Sequence, residues 1–368
     1  MDVLERTVDH LRREQLRALA QHLPGPFADS DQRVAHATGA GLAAFTRIQT
    51  RSAWLGPFVD QLSGLMAVER RYRFLDAFPE APVISMARAS ALEHAVFGDT
   101  TPEVEELALQ LGMFTVLLDG LLDEVPDELA PVAGWLHRAM DPDGWADGAP
   151  LAPAPSRSLL ADALCRLASS VIATVVGGRA WCDDAVVREQ FTQATRAAFA
   201  AELASVDLTA SRGAPGGEVL ERVVGKSTHP IWAGSLVPFC VRGWPPGLEA
   251  DAFRDLAFAI GRFGGWVDDV VDVAEDLRAD RWSAVLAVVA DCAAALGATH
   301  PGADVRPAIV RVLGAPLVVE VVAARGVALV REVEDGFAHL DVDASTVLPV
   351  LCDMARQSLT SGLARVVA

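Results

Sequence analysis

The chain has few cysteines, and their positions exclude two common uses of that residue. No two of them are spaced as Cys-x-x-Cys, and an odd number cannot all pair within one chain. A disulfide framework needs paired cysteines, and a structural zinc site needs closely spaced ones. We therefore expect reduced thiols, as in a cytoplasmic protein. The five are Cys165, Cys182, Cys240, Cys292 and Cys352.

Positive charge is scarce as well. The chain carries 31 Lys and Arg against 49 Asp and Glu, which gives a net charge of −18 at pH 7. Nucleic acids and anionic membranes attract basic surfaces, so neither is an expected partner. An acidic protein that binds a diphosphate has to gather metal ions or basic residues at one place.

Long apolar runs and targeting signals are also missing. The longest candidate run, residues 167–178, is shorter than the roughly 18 residues that a membrane-spanning helix requires. The first residues, Met1 to Arg6, lack the basic-then-apolar pattern of a secretory signal. We expect a cytoplasmic protein without a membrane span.

The chain shows no alternating strand pattern and no repeat of 20 to 50 residues. Apolar residues, 51% of the total, instead recur at helical spacing between breaks rich in proline and glycine. The sequence predicts an all-α protein in which residues 1–368 form a single domain. Among the predicted helices are 29–55, 57–78, 82–97, 101–125, 217–241, 248–279, 316–340 and 344–367.

A ladder of carboxylates stands late in the chain, inside the predicted helix 248–279. Asp268, Asp272 and Asp276 are four residues apart, with Asp269 beside the first. Side chains four apart share one helix face, where like charges repel each other. Mg²⁺ binds oxygen ligands and often takes a few carboxylates together with substrate phosphates. The pattern indicates a metal site or, equally, a solvated acidic face.

A second acidic cluster stands at the end of the predicted helix 101–125. Asp119 and Asp123 are again four apart, and Glu124 follows, after turns that carry no charge. Negative charge is unfavourable at a helix C-terminus, which invites a functional explanation. Helical bundles build metal sites from side chains on facing helices, so the two clusters could share one site.

These motifs resemble those of a known family. Asp119-Gly-Leu-Leu-Asp123 resembles the first aspartate-rich motif, DDxxD, of the class I isoprenoid synthases, which include trans-prenyltransferases and terpene cyclases. Asp268-Asp269-Val-Val-Asp272 resembles the second DDxxD of the prenyltransferases. Its extension to Asp276 is similar to the terpene-cyclase pattern (N/D)DxxSxxxE. Lys226-Ser227-Thr228 resembles the Lys-Thr pair that precedes the second motif. The resemblance covers about residues 102–282, and the remainder of the chain carries no recognised motif.

The sequence departs from the family pattern in ways that bear on function. Gly120 replaces the second Asp of the first motif, no Gly-Lys-Arg stretch occurs in the N-terminal third, and no Arg pair follows the first motif. Condensing enzymes of the family use these basic residues for a second diphosphate. The pattern therefore favours a terpene cyclase acting on one prenyl diphosphate over the alternative, a prenyltransferase. A non-catalytic helical protein, such as an inactive partner subunit, is a third possibility.

The resemblance implies a helical bundle of the isoprenoid synthase type with a central cavity, and a cluster of Mg²⁺ ions, three with substrate bound. A prenyl diphosphate would be the substrate, and a homodimer is the commonest assembly. The expected catalytic residues are Asp119, Asp123 and Asp268. The expected metal ligands are Asp119, Asp123, Asp268, Asp269, Asp272 and Asp276.

Basic residues should help to hold the diphosphate, and Lys226, Arg222 and Arg278 are the expected ones. Lys226 and Arg222 lie four apart on one predicted helix face, and Arg278 and Arg281 follow the late ladder. An ordinary surface charge is the alternative for each. Residues 225–228 also match the end of a nucleotide-binding P-loop, but its first glycine would fall at Leu220 and no strand precedes it.

Overall fold

The computed structural model describes residues 3–23, 68–124, 134–136, 138, 159–177, 181, 183–205, 217–299 and 304–364. Within these ranges the regular elements are helices and no strand occurs, so the prediction of an all-α fold is confirmed. The helices are α1 (Val3–His22), α2 (Val68–Phe97), α3 (Pro102–Glu124), α4 (Leu159–Val176), α5 (Ala185–Ser205), α6 (Gly217–Ser235), α7 (Val237–Arg242), α8 (Ala250–Ala279), α9 (Ala284–Ala295), α10 (Arg306–Val312), α11 (Pro316–Leu340) and α12 (Val347–Ala364).

Helix α2 differs from the prediction of two helices separated by prolines. The structure has one helix that passes through Pro79 and Pro82. A proline inside a helix removes one backbone hydrogen bond and crowds the preceding turn. Close packing against α3 accompanies this irregularity, because a Cβ on Gly112 would lie 2.9 Å from the Pro82 Cα and 3.1 Å from the Ser85 Cβ. The predicted helix 29–55 lies outside the described residues.

The predicted helix 217–241 is instead divided in two. Helix α6 ends at Ser235, and α7 starts at Val237 with Pro238 in its first turn. Proline is favourable in the first turn of a helix, where its missing N–H needs no partner. The position of this proline therefore marks a helix start that apolar spacing alone does not reveal.

Helix α8 connects the two parts of the apolar core. Its first turns pack Phe253 and Ala257 among residues of α2 to α7. Its later turns, from Leu256 to Ala274, pack among residues of α1, α9, α11 and α12. The acidic ladder is thus carried on a helix that is fixed along its whole length by neighbours.

Helix α1 covers one side of α8 through polar contacts at buried positions. The indole Nε1 of Trp266 donates a hydrogen bond to Oε1 of Gln15 at 3.2 Å, and Gln15 is fully buried. The guanidinium of Arg12 donates to the carbonyl oxygen of Val271. Both contacts fall within the turns that carry the ladder, so α1 holds that stretch in place.

No single helix in the described ranges combines the length and the apolar composition needed to cross a membrane. The short α10 and the following α11, which meet at 93°, satisfy both criteria only when they are taken together. That residues 1–368 form one domain stays a prediction, as does the homodimer.

Two glycines of α8 provide a matched test of how tightly α6 and α8 pack. A Cβ at Gly261 would lie 2.7 Å from the Thr228 Cα and 3.1 Å from the Ser227 carbonyl oxygen, whereas a Cβ at Gly264 would have no atom within 4 Å. Overpacking against backbone is costly, so we expect Gly261→Ala to lower the free energy of unfolding by about 1–3 kcal/mol.

The same substitution at Gly264 is the control. Alanine is a better helix former than glycine, so Gly264→Ala should raise the free energy of unfolding by about 0.5–1 kcal/mol. Urea denaturation followed by circular dichroism measures both. Equal destabilisation by the two variants would contradict the close approach of α6 and α8.

Candidate active site

A cavity of about 470 Å³ opens between α2, α3, α5, α6, α8 and α12. Pockets that enclose small-molecule ligands usually measure roughly 300–1,000 Å³. Both acidic clusters contribute to its lining, and apolar side chains form much of the remaining wall. The apolar residues include Val116, Ile231, Ile260, Phe263, Leu351 and Met354.

Asp119 of the first cluster is paired with a basic residue of the expected diphosphate site. The Nζ atom of Lys226 on α6 lies 2.7 Å from Oδ1 of Asp119 on α3, and both side chains are partly exposed to the cavity. Exposure weakens such a pair, so its contribution to stability is small. Its consequence is positional, because it brings two of the three predicted motifs together.

The late ladder faces the same cavity. Burial among protein atoms raises the pKa of Asp268 to about 7, and the charges of Asp272 and Asp119 add to this rise. Lys226 acts in the opposite direction. The Asp268 carboxylate nevertheless remains accessible from the cavity. Since Asp119 lies on α3 and Asp268 on α8, carboxylates from the two predicted clusters meet across the opening.

Asp276 forms the far end of the ladder. Burial raises its pKa to about 7, and the charge of Asp272 adds to the rise. The hydroxyl of Ser283 donates a hydrogen bond to Asp276, and the positive charge of Arg281 lies close by. Arg281 and Ser283 line the cavity as well. The segment after α8 therefore folds back over the ladder and brings a basic residue to it.

Asp269 has a structural contact that the sequence did not indicate. Its Oδ2 accepts a hydrogen bond of 2.6 Å from the backbone N–H of Ala284, the first residue of α9. Burial raises the pKa of Asp269 well above its usual value, and Asp268 adds to the rise. The hydroxyl of Ser283 accepts a hydrogen bond from the N–H of Leu286. Asp269 and Ser283 together therefore provide acceptors for backbone N–H groups in the first turn of α9.

Three of the predicted site residues are not observed at the cavity. Two of them lie elsewhere, and the side chain of the third is not described. Arg278 forms an ion pair of 2.9 Å with Glu5 of α1 and is half exposed outside the cavity lining. Arg222 is exposed one turn before Lys226 and does not line the cavity either. The side chain of Asp123 lies outside the described residues, although helix α3 continues past it.

Several cavity residues were missed by sequence reasoning. Arg88 is a basic one and Glu202 is a buried acidic one, whereas Arg281, which also lines the cavity, was among the basic candidates that follow the ladder. Helix α12 supplies Leu351 and Ser358 from a part of the chain without a motif. A signal existed for Arg88, which is the lone charge in the otherwise uncharged run from residue 81 to 92. The others follow no pattern in the sequence.

The residues present fit a metal that binds together with phosphate. Among the described side chains, no group of three or more His, Cys, Asp or Glu is gathered closely enough to hold an ion alone. Mg²⁺ is usually held by one or two carboxylates together with substrate phosphates rather than by an all-protein cage. Carboxylates that raise one another's pKa are a donor set that a divalent cation would stabilise.

Solved structures supply the comparison for this fold. Geranylgeranyl pyrophosphate synthase from Lactobacillus brevis, complexed with citrate, matches 86% of this chain and 97% of its own length, with a TM-score of 0.50 and 14% identity. The geranylgeranyl pyrophosphate synthetase of the archaeon Geoglobus acetivorans matches 87% of this chain and 99% of its own length, with a TM-score of 0.48 and 14% identity. Linalool/nerolidol synthase from Streptomyces clavuligerus matches 80% of this chain and 94% of its own length, with a TM-score of 0.43 and 15% identity.

No family model matches the sequence. No curated protein matches it either. The likeness to the solved structures is therefore one of fold, and it agrees with the two motifs. The chain has the fold of the class I isoprenoid synthases, which confirms the fold expected from the resemblance.

The contact between Asp269 and α9 gives a prediction that separates a structural role from metal binding. Asp269→Leu leaves the N–H of Ala284 without its acceptor, so we expect a loss of about 1 kcal/mol in the free energy of unfolding. Asp269→Asn keeps a carbonyl acceptor at the same place and should lose much less. Urea denaturation of the metal-free protein measures both, and equal stability of the two variants would contradict this role.

Proposed function

We propose that this protein is a magnesium-dependent enzyme that ionises an allylic prenyl diphosphate. The observation that carries the proposal is the meeting of Asp119, Lys226 and Asp268 at one opening of a largely apolar cavity. The diphosphate would lie between the aspartate clusters, and the hydrocarbon chain would enter the cavity. Aspartates that repel one another need cations, and a diphosphate that carries Mg²⁺ supplies them.

At the opening, the aspartates would bind metal and the basic residues would bind the diphosphate. Asp119 and Asp268 would hold the metal, with Asp272 and Asp276 further along the ladder. When bound, Mg²⁺ would supply Lewis acidity and charge neutralisation for the departing diphosphate. Lys226 and Arg281 line the opening and can donate hydrogen bonds to diphosphate oxygens. The carbon–oxygen bond then breaks heterolytically, and its electron pair leaves with the diphosphate.

The apolar wall protects the resulting allylic cation. Ile231, Ile260 and Val116 exclude water from the interior, which prevents immediate hydrolysis. Phe263 and Trp282 also line the cavity, and an aromatic face attracts a cation. These side chains therefore suit a reaction in which the cation must survive long enough to form a new bond.

We place transfer of the prenyl group to an acceptor first among the fates of this cation. The Lactobacillus brevis protein of the same fold is a geranylgeranyl pyrophosphate synthase. Cyclisation is the second candidate, since the late ladder is similar to the terpene-cyclase pattern and the sequence lacks the family's usual second set of basic residues. The two fates differ in whether a second substrate is required.

Product analysis decides between these fates. The purified protein is incubated with Mg²⁺ and geranyl, farnesyl or geranylgeranyl diphosphate, with and without isopentenyl diphosphate or an aromatic acceptor. We expect diphosphate release and a prenylated product that needs the acceptor. Hydrocarbons or terpene alcohols from one substrate alone would establish cyclisation instead. Absence of diphosphate release under every condition would refute the proposed function.

Aspartate substitutions test the metal-binding residues. We expect Asp119→Ala and Asp268→Ala each to lower the rate of diphosphate release by about 100-fold or more, because electrostatic stabilisation of the leaving group is lost. Asp123→Ala should act in the same direction if its side chain completes the first cluster. Asp255→Ala is the matched control, since this exposed aspartate lies on α8 outside the cavity.

Each variant is assayed at saturating Mg²⁺, with circular dichroism to confirm that it folds. Chelation of divalent ions should abolish release by the wild type, and added Mg²⁺ should restore it. Wild-type rates in the Asp119 and Asp268 variants would show that these carboxylates do not serve the reaction.

A further inference from the structure

Arg88 is a buried arginine that has no negatively charged partner among the described side chains. The residue lies on α2, is only 3% exposed and lines the cavity. Its Nε has no hydrogen-bond partner among the described residues, and none of their carboxylates forms an ion pair with it. Burial lowers the pKa of Arg88 to about 10, with no neighbouring charge to oppose the shift. A buried charge without a counter-ion is costly to a fold, so a partner from outside the chain would relieve that cost.

The guanidinium lies at the end of the cavity opposite the aspartates. A Cβ on Gly234 would lie 2.7 Å from Nη2 of Arg88, so the guanidinium occupies the space that this glycine leaves free. Gly234 is eight residues beyond Lys226 on α6, which corresponds to about 12 Å along the helix. We call the end lined by Arg88 the cavity floor, and the end with Asp119, Lys226 and Asp268 the mouth.

The buried carboxylate of Glu202 does not take the place of a counter-ion at the floor. Glu202 lines a side pocket with Leu111 and Thr115 of α3 and with Pro230 and Ala233 of α6, which places it between the mouth and the floor. It adds nothing to the pKa of Arg88, which responds to burial alone. The floor thus carries a positive charge that the described side chains leave without an ion pair.

A plain hydrocarbon chain would end against this cation without any compensating contact. An anionic oxygen group would instead meet a planar guanidinium that can donate two parallel hydrogen bonds. We propose that the cavity floor binds a carboxylate, or an equivalent oxygen anion, at the end of a ligand that lies farthest from the diphosphate, with Arg88 as the residue that holds it. The location of the diphosphate at the mouth rests on the proposed function.

This group can belong to one of two molecules. The prenyl substrate itself could be oxidised at its far end, so that one ligand spans the cavity from the aspartates to Arg88. A separate acceptor could instead be anchored at the floor by its carboxylate and present its reactive carbon toward the mouth. Both ligands combine a hydrocarbon body with one anionic end, which is the chemistry that the cavity matches.

Decanoate is a suitable probe, because it joins an apolar chain to a carboxylate and needs no turnover. Its affinity for the full-length protein is measured by calorimetry in the presence of Mg²⁺ and pyrophosphate, which occupy the mouth. We expect decanoate to bind more tightly than decanol, and Arg88→Met to weaken decanoate binding by about tenfold or more. Arg88→Lys keeps the charge but loses the planar fork, so its affinity should be intermediate.

Two further variants keep the test independent of folding defects. Gly234→Ala retains the charge but places a methyl group against the guanidinium, so it should also weaken decanoate binding. Arg254→Met removes a positive charge of α8 outside the cavity lining and should leave that affinity unchanged. A structural arginine would lose stability on substitution, whereas removal of an uncompensated charge should keep or raise the urea midpoint of Arg88→Met. Unchanged decanoate affinity in Arg88→Met, or an equal loss of affinity in Arg254→Met, would overturn the proposal.

The source of the anion is decided by two more titrations. Simultaneous binding of decanoate and unreactive dimethylallyl thiodiphosphate identifies a separate acceptor. Tighter binding of an ω-carboxylated prenyl diphosphate than of its plain counterpart, lost in Arg88→Met, identifies the far end of the substrate. Either result supports the site at the floor, and the absence of both would refute it. Decanoate binding that depends on Arg88 without any diphosphate release would refute the proposed function and leave the floor site standing.

Discussion

Mutual repulsion among carboxylates at the cavity mouth is the constraint on which the remaining structure depends. Asp268, Asp272 and Asp276 share one face of α8, and Asp119 approaches them from α3. Such an arrangement costs free energy unless positive charge joins it. Lys226 supplies one such charge from within the chain. Burial and mutual repulsion raise the pKa of Asp268 and Asp276 to about 7, so ions or protons have to supply the rest.

A helix that carries so much like charge has to be fixed by packing. The apolar face of α8 is buried along its whole length, and α1 adds hydrogen bonds to the turns beside the ladder. Gly261 allows the backbone of α6 to come close to α8, and Lys226 on the same helix α6 pairs with Asp119 of α3. Asp269 lies beside the face that carries the ladder and accepts a hydrogen bond from the backbone N–H of Ala284, the first residue of α9. The scaffold thus offsets the repulsion before any cation binds, so it can present a preorganised acidic opening.

Sequence reasoning found the helices and the acidic residues because both depend on spacing along one chain. Helix α11 begins and ends where it was predicted, and the contact of Lys226 with Asp119 brings two of the three motifs together. Spacing could not show that Arg281, rather than Arg278, reaches the cavity. Asp280, which follows the last residue of α8, has a left-handed conformation with φ of 67°, and this turns the chain back toward the ladder. The residues of α12 come to the cavity only through tertiary packing, which no local pattern encodes, and the lone charge of Arg88 in its run did not show where that charge would lie.

The charges at the two ends of the cavity bear on the chemistry between them. On the proposed function, an allylic cation forms at the mouth, where carboxylates and the departed diphosphate surround it with negative charge. Arg88 presents positive charge at the floor, and two like charges in a medium of low dielectric constant repel each other strongly. Migration of the cation along the chain toward the floor is therefore disfavoured unless an anion neutralises Arg88. With that anion bound, the negative group of a ligand lies at the floor and the cation stays at the mouth, which favours bond formation close to the carbon that lost the diphosphate.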